Sequence, residues 1–161
     1  MRRLSIVLVF AIAAVSLLAF QPAATSDASA IEGVWKTVHV TVTNEEGTEE
    51  REITRPNLLI FTEGHYASVS VRGAEAREEL PDEATDEQLL AAWRSFGASA
   101  GTYSVADGEI ATKIIVAKNP NATANQRERS APFRLDGDNL VRTFTNAAGT
   151  TTWAVTSERV E

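Results

Sequence analysis

The chain has 161 residues, 43% of them hydrophobic, with 15 Lys and Arg against 22 Asp and Glu, no cysteine and two histidines. That length suits one domain; without Cys there are no disulfides, thiol nucleophiles or thiolate metal sites, and His39 and His65 are too few for the usual zinc spacings, so no metal or other cofactor is expected. A formal charge of −7 argues against nucleic-acid binding, which needs a basic surface to displace counterions from phosphate.

Met1, Arg2 and Arg3 open the chain, residues 4–20 carry no charge, and residues 21–30 are mostly small and polar. This is the three-part layout of a secretory leader. The uncharged run is at the short edge of a membrane span, for which roughly 20 apolar residues are typical. Ala24-Thr25-Ser26 and Ala28-Ser29-Ala30 each offer small residues where a signal peptidase reads them. The expectation is a leader and short N-terminal segment over 1–30, one domain over 31–161, and an exported protein, periplasmic or extracellular, free of the membrane after cleavage.

From Gly33 onward apolar residues recur at every second position and turn dipeptides separate them, which is the all-β pattern. Strands are predicted over 33–43, 48–62 with a break at Pro56, 65–72, 101–106, 109–117, 126–135, 140–145 and 150–158, eight in all. Gly or Asn in each connector supplies the positive φ of tight hairpins, so the strands form a meander. Between Gly73 and Gly97 the composition turns to Ala, Glu, Leu and Gln, and Thr85 with Gln88 matches a capping box. A helix over 85–96 is predicted there, with Gly97 as its stop. Its stripe of Leu89, Leu90, Trp93 and Phe96 reads either as a face packed on the sheet or as a lid over a cavity mouth.

A hairpin turn fixes register, and register fixes which side chains share a face. Turns at Glu63-Gly64, Asp107-Gly108, 136–139 and 146–149 set Phe61 against Tyr66, Val105 against Ile110, Tyr103 against Thr112, Leu135 against Leu140, Phe133 against Arg142, and Thr145 against Thr150. Val116 then shares a face with Ile110, and Arg142 lies opposite Trp153. The interior predicted this way contains Tyr66, Tyr103, Phe61, Phe133, Phe144 and Trp153 together with Arg142 and Arg129. A guanidinium among apolar groups needs a partner. For Arg142 that partner is expected to be the Trp153 ring; the alternative is a ligand carboxylate, a role that suits Arg129 near the strand's open end better, although Arg129 reads first as a solvated rim residue. His39 shares the parity of Trp35 and is expected to be a wall residue.

Gly33-Val34-Trp35 opens the first strand with the Gly-x-Trp spacing of lipocalins and related calycins. Gly101-Thr102-Tyr103, Asn119-Pro120, Gln126 to Arg129 and Leu135-Asp136-Gly137-Asp138-Asn139-Leu140 resemble the bacterial lipocalin-like domain family across nearly all of the chain after the leader. The resemblance implies an eight-stranded antiparallel up-and-down β-barrel with a central cavity, in which Gly33 and Trp35 close the narrow end and a late-strand arginine, Arg142 or Arg159, packs on Trp35. The helical insert before Tyr103 is a departure from the lipocalin pattern. Such a barrel has no free sheet edge and has room for one small ligand or a filling of side chains.

No nucleophile motif or phosphate-cradling glycine loop occurs, so an enzyme is not expected; a barrel-cavity isomerase or hydrolase would need His39 beside Tyr103 or a carboxylate. The leading expectation is a monomeric exported protein that binds a small hydrophobic or amphipathic ligand. Tyr66, Tyr103, Phe133, Phe144, Trp153 and His39 would form its wall, with Arg129 and Arg142 as polar contacts. The alternative is a structural or interaction protein with a filled core and a partner on the helix around Trp93.

Overall fold

A computed structural model describes residues 28–73 and 77–161; the leader expected at the N-terminus lies outside the described residues up to residue 27. Among the described residues nine strands form one antiparallel sheet: β1 (Gly33–Asn44), β2 (Gly47–Glu52), β3 (Asn57–Thr62), β4 (His65–Val71), β5 (Phe96–Ala106), β6 (Glu109–Ala117), β7 (Glu128–Asp136), β8 (Asn139–Thr145) and β9 (Thr152–Arg159). Helix α1 (Asp86–Arg94) lies between β4 and β5, and the short α2 (Pro120–Ala124) between β6 and β7. No helix among the described residues is long and apolar enough to cross a membrane.

Each strand from β3 to β9 pairs with the next, and β9 returns to β1, which closes the sheet into an eight-stranded barrel. The ninth strand corrects the expected count. The segment predicted as one strand over 48–62 is two, because β1 changes partner along its length: Gly33–Trp35 pairs with β3, and His39–Asn44 with β2. At the changeover Asn57 closes the gap, its Oδ1 accepting from Thr37 N at 2.6 Å and its Nδ2 donating to Thr37 O at 3.0 Å. Strand β2 is exposed throughout and adds nothing to the core.

The two-residue loops at Glu63-Gly64 and Asp107-Gly108 have positive φ at both positions, and their registers are those expected, with Phe61 opposite Tyr66 and Val105 opposite Ile110. Leu135 faces Leu140 and Phe133 faces Arg142, also as expected. The next hairpin differs. Thr150 N and Thr151 N both donate to Asn146 Oδ1, which lengthens the loop, so Thr145 pairs with Thr152 instead of Thr150. Parity survives the two-residue shift, but Arg142 now lies opposite Val155, and Trp153 opposite Phe144.

Bulges account for two further corrections, since one extra residue turns every later side chain to the other face. A shift between Thr37 and His39 sets His39 opposite Thr156, outside the parity of buried Ser157 and of Val155. A second shift, between Ala100 and Gly101, leaves Val116 outside with 57% of its surface exposed.

Helix α1 begins at the predicted capping box: Gln88 N donates to Thr85 Oγ1 at 3.3 Å and Thr85 N to Gln88 Oε1 at 2.9 Å. It stops at Arg94, with Ser95 as C-cap, and Gly97 belongs to β5, whose start at Phe96 precedes the predicted one. The helix buries no residue, and Leu89, Leu90 and Trp93 are about half exposed. The stripe is therefore not a face packed on the barrel.

The core fills one end of the barrel. Ile31, Trp35, Phe61 and Leu140 are fully buried there, joined by Leu59, Tyr66, Tyr103 and Ile110. Burying each large apolar side chain contributes about 1.5–3 kcal/mol. A 3-10 turn at Ala28–Ile31 caps this end, with Trp35 Nε1 donating to Ile31 O at 2.8 Å. Arg159 lies over the Trp35 indole at 4.1 Å and donates to the carbonyls of Glu32 and Ala30 at 2.5 and 2.8 Å. Of the two arginines eligible for Trp35, it is Arg159 that packs there. Gly33 has φ +130°, and a Cβ on it would lie 2.5 Å from Arg159 Nη1, so both conformation and space require glycine.

Candidate functional site

Above this sealed end the barrel holds a cavity of about 650 Å³. Its floor is the upper surface of the core: Leu59 and Phe61 from β3, Tyr66 from β4, Ile110 from β6 and Ala131 from β7. Strand alternation explains the set, because each is an inward position: Phe61 pairs with Tyr66, Ile110 with Ala131, and Leu59 is two residues from Phe61. Trp93, Arg94 and Phe96 line the mouth, which places the C-terminal end of α1 against the opening.

Lys118 fastens that end of the helix to the barrel. Its Nζ donates to the carbonyls of Trp93 and Phe96, the latter at 2.6 Å, and lies 4.7 Å from the Trp93 ring centre. A cation suits the carbonyl end of a helix. Partial desolvation, then repulsion from Arg72 and Arg77, lowers the Lys118 ammonium below the ordinary lysine value.

Of the residues singled out from the sequence, Tyr66, Arg129, Arg142 and Phe144 come together on the cavity wall. Tyr103, Phe133, Trp153 and His39 are not part of that wall. Tyr103 is buried below it, its ring edge-on to Phe61 at 4.8 Å and its hydroxyl donating to Glu32 Oε1 at 3.5 Å. Burial, with the Glu32 carboxylate beside it, raises the Tyr103 phenol above its usual value. Phe133 packs on the same core from β7. Trp153 stands between Val42 and Phe144 across the β9 ladders, half-buried. His39 is turned aside by the β1 bulge.

Arg129 is exposed, while Arg142 is half-buried: its Nε is enclosed without a hydrogen-bond partner, and desolvation pushes its guanidinium down to about 10. Its ring contact is with Phe144, 5.6 Å from the centroid, in place of the predicted Trp153. Of the further cations on the wall, Arg127, just before β7, shares the alternation of Arg129, whereas Arg72, Arg94 and Lys118 lie outside the strands, where alternation assigns no face. Arg72, Lys118 and Arg127 sit at the ends of β4 and β6 and the start of β7, and the meander brings those three termini to the same end of the barrel. No Asp or Glu among the described residues lines the cavity. No group of three or more His, Asp or Glu among them could hold a metal ion.

A family model described as a lipocalin-like domain matches residues 32–160. Among solved structures, an uncharacterized protein from Bacteroides eggerthii is similar at 10% identity and a TM-score of 0.43, over 78% of this chain and 97% of that one. No curated protein matches the chain.

Proposed function

The chain belongs to the lipocalin-like domain family, and from that premise we propose that it is an exported, non-enzymatic protein that binds one small hydrophobic or amphipathic molecule inside its barrel. The observation that carries this reading is the cavity itself. Its volume of about 650 Å³ lies within the roughly 300–1,000 Å³ usual for small-molecule sites, and its floor is apolar and aromatic. The floor is fixed from below by the Trp35 end, so the site is formed before a guest arrives. Neither histidine lines the cavity, and no carboxylate of the described residues does, so the His39 pairing that proton transfer would need is not assembled there. Binding is tested by native mass spectrometry and fluorescence titration with fatty acids, retinoids, porphyrins and isoprenoids. A one-to-one complex with at least one class is expected, and failure of every class to bind would remove the reading.

One observation favours a second reading, an interaction protein whose partner docks outside. Leu89, Leu90 and Trp93 of α1 are exposed together. In that case Trp93→Ala leaves stability unchanged and abolishes capture of a macromolecular partner.

A further inference from the structure

Arg142 is the next inward residue above Leu140 on β8, so its guanidinium stands where the cavity meets the sealed core. A guanidinium offers five N–H donors, cannot discharge at neutral pH, and is costly to bury without acceptors. Other arginines of the chain have them: Arg159 has two backbone carbonyls, Arg51 has Glu49, and Arg134 has Asp136. Arg142 has only the Phe144 face, and no described carboxylate or carbonyl accepts a hydrogen bond from it.

The surroundings repeat the same bias. Acidic residues outnumber basic ones in the chain, 22 to 15, yet the cavity wall collects six cations and no acid among the described residues. Charge of one sign in a concave, poorly solvated site raises the local concentration of counter-charged solutes. A neutral apolar guest would cover the Arg142 guanidinium without giving it an acceptor, and the site discriminates against that guest by the desolvation it causes.

Resting on the reading of the cavity as a ligand site, we propose that its ligand is an amphipathic carboxylate bound head-first. The carboxylate sits on Arg142 at the cavity floor, and its apolar body lies against Phe144 and Phe96 toward the mouth. Arg127 and Arg129 at the rim guide the anion in and do not hold it.

The test is fluorescence titration of the full mature chain with dansylaminoundecanoate and with its methyl ester, which keeps the body and removes the charge. Wild type is expected to bind the acid about tenfold or more tightly than the ester, the size of a charge-assisted hydrogen-bond pair. Arg142→Met is expected to bring the acid down to the ester's affinity and leave the ester's own affinity unchanged or improved, which also shows that the variant is folded. Arg142→Lys keeps a charge without the fork and retains part of the preference. Equal binding of acid and ester by wild type, or a preference that survives Arg142→Met, overturns the head-first proposal while the binding reading stands. A preference lost in Arg127→Gln/Arg129→Gln and kept in Arg142→Met also overturns it, placing the headgroup at the rim. If neither probe binds, the proposal falls, and the cavity reading falls with it when retinoids, porphyrins and isoprenoids also fail to bind.

Discussion

The Arg159 guanidinium carbon lies 4.1 Å from the centre of the Trp35 indole, and its two terminal nitrogens donate to the carbonyls of Glu32 and Ala30. One side chain from the last strand thus ties the first strand and the turn before it, across the seam where the sheet closes. Arg159→Met removes the cation–ring contact and leaves two carbonyls without donors. The expected loss is about 2–4 kcal/mol, seen as a lower urea midpoint with an unchanged slope. Arg159→Lys recovers only part of it, because an ammonium cannot stack on the ring and reach both carbonyls at once.

Much of this was legible in the sequence, and the particular failures share a cause. Loops closed by Glu63-Gly64 and Asp107-Gly108 have a fixed length, so Phe61–Tyr66 and Tyr103–Thr112 could be paired on paper. Bulges have no such signature, and the two in β1 and β6 moved His39 and Val116 to the other face. The Asn146 loop preserved parity and changed neighbours, which exchanged Trp153 for Phe144 beside Arg142. Asn119-Pro120 did carry a readable signal, an N-cap followed by proline at the first helical position, and it starts α2. Register already sets Arg142 deeper than Arg129, because Arg142 pairs with Phe133 and Arg129 lies four residues nearer the open end; that its Nε finds no acceptor depends on neighbours that register does not supply.

Gly101 shows what the second bulge demands of its partner strand. A Cβ built there would lie 1.9 Å from the Lys113 carbonyl oxygen, a backbone atom that cannot turn away. Gly101→Ala must push β5 and β6 apart, and is expected to cost about 3 kcal/mol or more. Gly149→Ala is the contrast: φ is +73° but nothing lies within 4 Å, so only the backbone penalty of about 1 kcal/mol is expected. Paired thermal melts of the two variants check the difference.

The turn at Ala28–Ile31 bears on where an exported chain is cut. Ala28 packs on the core and Ala30 O accepts from Arg159 Nη2 at 2.8 Å, so removing residues through Ala30 would strip a partner from the barrel's closing end. Cleavage between Ser26 and Asp27 keeps both contacts. The expected mature N-terminus is Asp27, checked by the intact mass of protein recovered after export. A chain starting at Ile31 is expected to be less stable than one starting at Asp27 by about 1–2 kcal/mol.

Arg142 sets stability against its own burial, and the sign can be followed through pH. Burial disfavours the charged form and brings its guanidinium down to about 10 in the folded state, well below the ordinary arginine value. Below about 10 the residue is charged in both states, and the folded state carries the full burial cost. From about 10 up to the ordinary arginine value the folded state releases the proton first, the unfolded state binds more protons, and stability rises with pH relative to a chain without the group. Arg142→Met, similar in length and uncharged, is therefore expected to be more stable than wild type at neutral pH by about 1–3 kcal/mol. The gap should stay constant up to about 10 and then shrink. Urea midpoints of both chains from neutral pH to about 11 measure it, and tyrosines and lysines common to both cancel in the comparison. A variant less stable than wild type, or a gap flat through that range, would mean the guanidinium is already well solvated where it stands. If a carboxylate ligand satisfies Arg142, adding it should raise the wild-type midpoint toward that of the variant and leave the variant's nearly unmoved.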